Sequence, residues 1–394
     1  MKKIFISFFV FGLVFLSAPL YLPSNSSSVF ACDTCVVPTG TNSPGFSADE
    51  ADFISSTTSR DGTLFVAYTD YANQKKATVM KYYGGNWLFV GTPGFSAGEA
   101  WTSSIAVDSK DVPYVAYTDY ANGHKVTVMK FDGGNWVPVG ISGPSAISSF
   151  ATKLIIGDDD ALYVSYVDDP NSTTIFVDKF NGKNWVPVGA PVVPSGFPGE
   201  ISFKIGKGNT LYLSYTENFG VNSFRIKVMK FDGSNWIYFP DVPEFSSQRQ
   251  ISPSLAISSD NIPYVAYTGL YLSPTIESKA FTVRFDGTTW SPVGEPIPMI
   301  GLNDVLGISL ALNSNNVPYL AFSDGANSYK TTVMKFDDTN WIPVGNAGFS
   351  DGFIEFLSLS IDSENDVYVV FSDGAHGYKA SAMKIQDEAY WANL

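Results

Sequence analysis

The stretch Val126-Thr127-Val128-Met129-Lys130-Phe131-Asp132-Gly133-Gly134-Asn135-Trp136-Val137-Pro138-Val139-Gly140 decides the fold. Two β-favouring runs flank Asp132-Gly133, a pair that supplies the positive φ a tight hairpin needs. Asp232-Gly233 and Asp286-Gly287 repeat the device. Upstream in the same unit lie two more runs, Ile105-Ala106-Val107-Asp108 and Pro113-Tyr114-Val115-Ala116-Tyr117-Thr118-Asp119. The closing tryptophan recurs at Trp87, Trp136, Trp185, Trp236, Trp290, Trp341 and Trp391, at spacings of 49 to 54 residues. A period of that length, held over nearly the whole chain, means one supersecondary unit copied in tandem.

Each repeat holds four short runs of Val, Ile, Tyr, Phe and Thr separated by Asp, Asn, Gly, Ser and Pro, the mark of strands joined by turns. No stretch sustains a helical apolar period. The reading is all-β: a seven-bladed β-propeller of four-stranded antiparallel blades. A blade buries both faces against its neighbours, so its second strand is apolar on both sides, and each periodic tryptophan is expected to fill a gap between blades. Both chain ends read as fourth strands. Val36-Val37-Pro38-Thr39-Gly40 matches Trp-Val-Pro-Val-Gly without its tryptophan, and Tyr390-Trp391-Ala392-Asn393-Leu394 keeps it. The ring is therefore expected to be closed by the two ends in one blade.

The organisation read from the sequence is a signal peptide at 1–31, an amino-terminal segment with the closing strand at 32–44, and the propeller at 45–394. Lys2 and Lys3 precede an apolar run from Ile4 to Leu22 and a serine-rich spacer, with cleavage expected after Ala31. The rival is an uncleaved anchor, since 19 apolar residues just span a bilayer. The destination is secreted, periplasmic or cell-surface, with no membrane span in the mature chain. Cys32 and Cys35, the two cysteines of the chain, form a C-x-x-C at the expected mature end. Ahead of an all-β chain in an oxidising compartment, a small disulfide is preferred over a redox motif or lipidation of Cys32. Loss of Lys2 and Lys3 leaves 22 basic against 38 acidic residues, net −16. That surface repels nucleic acid and favours solubility.

Function is expected on the face formed by the loops from strand two to three and from one blade to the next. Four repeats share an Asp-x5-Lys hairpin there: Asp70 and Lys76, Asp119 and Lys125, Asp324 and Lys330, Asp373 and Lys379. Pairing across the hairpin sets each acid opposite its lysine, as a surface ion pair worth a few tenths of a kcal/mol or as part of a ligand site. These repeats, six, seven, one and two, are contiguous once a ring closes. Repeats three to five depart from the design, with Thr174 in place of a lysine and longer loops around Asn222 and Ser273. Gly45-Phe46-Ser47, Gly94-Phe95-Ser96 and Gly348-Phe349-Ser350 recur between blades, with Asp49, Glu50, Asp52, Glu99, Asp351 and Glu355 nearby. Their Phe reads as a loop anchor. Trp101 is off the tryptophan period, which marks it as a candidate for stacking on a sugar ring or a peptide, with Glu99 beside it.

Catalytic signatures are lacking. His124 and His376 are the two histidines, and neither stands in a metal-binding spacing. No nucleophile-elbow, Walker or dinucleotide fingerprint occurs. Asp158-Asp159-Asp160 lacks the glycine and alternation of a calcium loop and reads as a solvated turn. No cofactor and no metal are expected.

The Phe-Asp-Gly-x-x-Trp-x-Pro-Val-Gly units from Thr41 to Leu394 resemble the β-propeller superfamily, and among it the tandem-repeat propellers of secreted bacterial proteins. Short blades ending in tryptophan are also similar to lectin-type propellers of the tectonin kind, which implies glycan binding between blades. Met129 to Trp136 does not fit a sialidase Asp-box, because Met stands where Ser is needed and the Asp is shifted by one. The expectation is a monomeric, non-enzymatic binding or scaffold propeller recognising a glycan or protein ligand. The alternative is a glycan hydrolase or lyase using carboxylates at the channel mouth.

Overall fold

The computed structural model describes residues 37–38 and 45–385, except 142, 146–147, 169–172, 197, 221–222, 244–248, 272–276 and 300–306. Cys32, Cys35, Trp391, Asn222 and Ser273 lie outside the described residues.

The chain is all-β, built of four-stranded antiparallel sheets in the manner of propeller blades; among the described residues its helical pieces are single 3-10 turns. Ala51–Thr58, Leu64–Asp70, Lys76–Tyr83 and Asn86–Phe89 pair in order as the first sheet. Three further sheets repeat this order, a fourth takes Val37–Pro38 as its outer strand, and repeats four and five join into one nine-stranded sheet through the pairing of Phe224 with Arg249. Leu64–Asp70, Pro318–Asp324 and Val367–Asp373 are buried at every residue, as second strands covered on both faces must be. The expected hairpin glycines are observed at φ +100° (Gly133), +102° (Gly233) and +103° (Gly287). Asp132 completes its turn by accepting the Gly134 and Asn135 amides at 3.0 and 2.7 Å.

The apolar core lies between sheets. Phe65, Ala67 and Val79 of repeat one pack with Ile105, Val115, Tyr117 and Trp136 of repeat two. Five junctions add the same polar tie: the indole N–H of Trp136 donates to Val90 O at 2.8 Å, Trp185 to Val139 O, Trp236 to Val188 O, Trp290 to Pro240 O and Trp341 to Val293 O. The tryptophan thus buries its ring and satisfies its one donor with the preceding repeat. The loop phenylalanines are anchors too, Phe46 stacked on Trp87 at 3.7 Å and Phe95 on Trp136 at 4.4 Å.

A second tie joins first strands. Leu154 N donates to Ser104 Oγ, Ile105 N to Ser55 Oγ, Leu255 N to Ser202 Oγ, Leu310 N to Ser254 Oγ, Leu359 N to Ser309 Oγ and Ser56 N to Ser358 Oγ, all at 2.9 to 3.2 Å. The last of these links repeats one and seven. A hydroxyl here caps a strand-edge amide that has no ladder partner. At the junction of repeats three and four, the serine position is held by Lys153, which pairs with Ser165 as Ser104 pairs with Ala116.

Val37–Pro38 pairs antiparallel with Lys379–Ile385, Val37 opposite Lys384 and Pro38 opposite Met383. Val137 and Pro138 stand opposite Lys130 and Met129 in the same register, so the amino-terminal segment takes a fourth-strand position. Asp160 is not a freely solvated turn residue. At φ +57° it accepts from Ser109 N and Oγ of the preceding repeat at 2.8 and 2.6 Å. Among the described residues no helix is long and apolar enough to cross a membrane.

Candidate functional site at the loop face of repeats seven, one and two

The four Asp-x5-Lys hairpins have the expected register, Asp70 opposite Lys76, Asp119 opposite Lys125, Asp324 opposite Lys330 and Asp373 opposite Lys379. The expected ion pair does not form: among the described residues none joins these acids to these lysines. The aspartates are buried and turn back on the loop. Asp70 accepts from Ala72 N at 3.0 Å, Asn73 Nδ2 at 2.8 Å and Thr78 Oγ1 at 2.7 Å. Asp324 repeats all three bonds with Ala326, Asn327 and Thr332. Asp119 accepts from Ala121 N and Thr127 Oγ1. A buried carboxylate with such donors is retained because it shapes a 3-10 turn, and that turn carries the residues that face outward. The lysines are half-buried beside it.

Those turns present Tyr71 and Lys75 in repeat one and Tyr120 and His124 in repeat two. Trp101 comes up between them. It is half-buried at the start of the first strand Ala100–Val107, not in a loop, and it is not an isolated ring. It stacks on Tyr120 with centroids 5.3 Å apart, lies 5.4 Å from Phe53, and its indole N–H donates to Glu99 Oε2 at 3.3 Å. Lys75 Nζ sits 5.9 Å from the Trp101 ring and 4.8 Å from that of Tyr71, within cation–π range. The Tyr120 ring is 4.0 Å from His124.

Just beyond Trp101 the strand bulges. The register shifts between Trp101 and Ser104, and equally between Asp52 and Ser55 and between Glu355 and Ser358. The bulged residues are left-handed, Phe53 at φ +49°, Thr102 at +52° and Phe356 at +47°. Bulky residues rarely tolerate that region, and each one held there costs on the order of 1–3 kcal/mol. The bulges set Phe53 5.0 Å from Phe356 and 5.4 Å from Trp101, an aromatic patch drawn from three repeats.

Carboxylates border the patch. Asp52 and Glu355 hold the strand position that Trp101 holds in repeat two. Asp52 accepts from Tyr71 OH at 2.7 Å. Burial raises its pKa, opposed by the Tyr71 bond and by Lys75. Glu355 is raised by burial and then by Asp52, and Glu50 by burial and then by Asp52, Asp49 and Glu355. Three acids that sense each other's charge in a partly desolvated place share protons more readily than surface acids do.

Asp324 and Lys330 belong to repeat six, beyond these contacts, and Thr174 stands opposite Asp168 in repeat three. Sequence reading singled out Trp101, Glu99, Glu50, Asp52 and Glu355 but missed Phe53, Phe356, Tyr71, Tyr120 and Lys75. Tyr71-Ala72-Asn73 and Tyr120-Ala121-Asn122 are copies of one another, a signal that was present. The bulges left none. The fold also brings Asp351 to the turn that carries Asp373 and His376, with one ligand-type atom from each within 4.8 Å of the others. His376 Nε2 lies 2.8 Å from Asp351 Oδ2, and Asp373 accepts from Ala375 N and Gly352 N, so the group serves as a tie between loop and turn.

No protein-family model matches the sequence, and no curated protein matches it. Solved structures do match in fold. An ulvan lyase representing a new family of polysaccharide lyases superposes with a TM-score of 0.56 at 12% identity, covering 89% of this chain and 94% of that one. A protein of unknown function from Dyadobacter fermentans gives a TM-score of 0.51 at 11% identity over 90% of this chain and 99% of its own. At such identities the likeness is one of architecture.

Proposed function

We propose that the chain is an exported seven-bladed β-propeller, its ring closed by the Val37–Pro38 strand in the last blade, that binds a glycan at the loop face of repeats seven, one and two. Trp101 carries the reading. It is a large, half-buried aromatic flanked by Tyr120, Phe53 and Lys75, with the Glu99 carboxylate at its indole edge. A sugar presents an apolar C–H face to a ring and a rim of hydroxyls to carboxylates, and this surface supplies both partners side by side. The bulge recurs at Thr102, Ala151 and Ser252, so its backbone belongs to the scaffold; what is particular to Phe53 and Phe356 is that it sets their rings in one patch with Trp101. The architectural likeness to a polysaccharide lyase is compatible with a glycan ligand.

The test is a glycan array probed with the purified mature protein, followed by titration of the best ligand against the parent and Trp101→Ala. Binding that depends on Trp101 supports the reading. A protein ligand bound at the same surface, with no glycan recognised, removes the glycan half of it.

The carboxylates Glu50, Asp52 and Glu355 favour a second reading, a glycan hydrolase or lyase. Burial raises the pKa of each of the three, the direction in which a catalytic acid is tuned. Incubation with a panel of polysaccharides separates the two: new reducing ends or new unsaturated products, lost in Asp52→Asn, mean catalysis, and intact polymer retained on the protein means binding. For export we propose a mature chain beginning at Cys32, monomeric, with Cys32 and Cys35 joined; intact-mass measurement of the secreted protein reads the cleavage site, the disulfide and any lipid on Cys32.

A further inference from the structure

Repeat seven joins its loop to its turn with different residues from the other repeats. Gly348-Phe349-Ser350-Asp351-Gly352 aligns with Gly94-Phe95-Ser96-Ala97-Gly98 and Gly45-Phe46-Ser47-Ala48-Asp49, so Asp351 stands where repeats two and one carry alanine. Asp373-Gly374-Ala375-His376 aligns with Asp70-Tyr71-Ala72-Asn73, Asp119-Tyr120-Ala121-Asn122 and Asp324-Gly325-Ala326-Asn327, so His376 stands where the turns of repeats one, two and six carry asparagine. The two departures meet, His376 Nε2 lying 2.8 Å from Asp351 Oδ2. Neither is needed to build the turn, since Ala375 N donates to Asp373 just as Ala72 N does to Asp70 and Ala326 N to Asp324.

The exchange alters the buried aspartate. In repeats one and six its second carboxylate oxygen takes two donors, Asn73 Nδ2 and Thr78 Oγ1 on Asp70, Asn327 Nδ2 and Thr332 Oγ1 on Asp324. In repeat seven His376 turns to Asp351, and Ser381, in the threonine position, accepts from Gly45 N at 2.9 Å. Asp373 Oδ1 keeps its amides, Ala375 N and Gly352 N at 3.0 Å each. Among the described residues no donor reaches Asp373 Oδ2, although the residue is only 1% exposed. A buried carboxylate oxygen without a donor is costly unless positive charge meets it. One carboxylate oxygen of Asp373 lies within 4.8 Å of ligand-type atoms of both Asp351 and His376.

We propose that Asp351, Asp373 and His376 form a binding site for a divalent transition metal of the zinc class on the loop face of repeat seven. One imidazole nitrogen with two carboxylates suits that class, whereas magnesium and calcium take oxygen ligands. The two carboxylates balance a doubly charged ion. Ligand atoms around one zinc ion stand about 3.3 Å apart. Asp373 is held by its two amides, as metal-ligating carboxylates commonly are, so the adjustment falls on Asp351 and His376, whose side chains are 53% and 29% exposed. The ion takes the place of the proton between His376 and Asp351. Three protein ligands leave a coordination position to water or to an oxygen of a bound molecule. The loop clipped in this way runs into Ile354–Ile361, the strand that carries Glu355 and Phe356. The site does not depend on which ligand the aromatic surface around Trp101 binds.

The experiment is calorimetric titration of the chelator-stripped mature protein with zinc chloride, with magnesium chloride as the reference. One zinc ion per chain should bind, and an equal concentration of magnesium should not displace it. His376→Asn and Asp351→Ala restore the residues of repeats one and two, so both metal-free variants should keep the parent's melting temperature. Each should weaken zinc binding about tenfold or more, since a loss of that size follows even from removing an outer partner of a metal ligand. Zinc should raise the melting temperature of the parent and leave that of His376→Asn unchanged, because only a folded site holds the ion. Protein carrying Cys32→Ser and Cys35→Ser should bind with the parent's affinity, which separates this site from metal held by the cysteines. The proposal is overturned if zinc binds no better than magnesium, if binding disappears with the cysteines, or if folded His376→Asn and Asp351→Ala proteins both bind zinc as the parent does.

Discussion

Trp101 stacks on Tyr120 across the end of one antiparallel pair, the tryptophan entering the first strand opposite Thr118 and the tyrosine leaving the second just past Asp119. The contact depends on the buried Asp119 carboxylate, which holds the turn that aims Tyr120. A scaffold residue and a surface residue are thus coupled within three positions of the chain, and substitutions separate their roles.

Trp136→Ala should cost about 3–5 kcal/mol of stability, since it empties a space between two sheets and orphans the carbonyl of Val90. Trp101→Ala should cost far less, because its ring is half-exposed. Chemical denaturation of both variants checks the difference, and equal losses would make Trp101 another wedge between sheets.

Ser104→Ala should destabilise the protein by roughly 1–3 kcal/mol, the penalty of leaving the Leu154 amide without its partner. The same change at Ser309 should cost a similar amount through Leu359. A neutral result at both positions would mean that water replaces the hydroxyls.

Glu355→Gln should stabilise the protein at pH 7. Burial and Asp52 raise the native pKa of Glu355 above its ordinary 4.5, so the ionised carboxylate penalises the fold at any pH above that raised value. As pH falls through the native pKa the parent takes up a proton and regains stability. Below about 4.5 the native and unfolded states are both protonated, and the advantage of the variant should be gone. Melting temperatures measured from pH 4 to 8 test the sign; a variant less stable than the parent at pH 7 would contradict it.

Removal of residues 1–44 deletes the strand that pairs Val37 with Lys384 and Pro38 with Met383. The truncated protein should melt at a lower temperature than the mature chain. An unchanged melting temperature would mean that Val37–Pro38 contributes nothing to closing a ring.

Much of the fold was legible because its signals are short-range and copied. Asp132-Gly133 announces its own hairpin, and the register of Val37 and Pro38 followed from their match to Val137 and Pro138. The site was legible only in part. Trp101 stood out by breaking a period, but its partners did not: Phe53 and Phe356 reach it through bulges, and a bulge at a non-glycine residue leaves no mark in composition. The Asp-x5-Lys motif suggests an ion pair or part of a ligand site because the acid and lysine face each other. Desolvation decided otherwise, since a buried carboxylate gains more from three fixed donors than from one mobile ammonium.

The most direct measurement is the affinity of the parent and of Trp101→Ala for the best glycan found on the array, followed by quenching of tryptophan fluorescence. Glycan recognition through Trp101 predicts saturable binding by the parent and a loss of about 1–3 kcal/mol in the variant, the range for removing one stacked aromatic contact, with the melting temperature nearly unchanged. Undiminished affinity in a folded Trp101→Ala protein would contradict it.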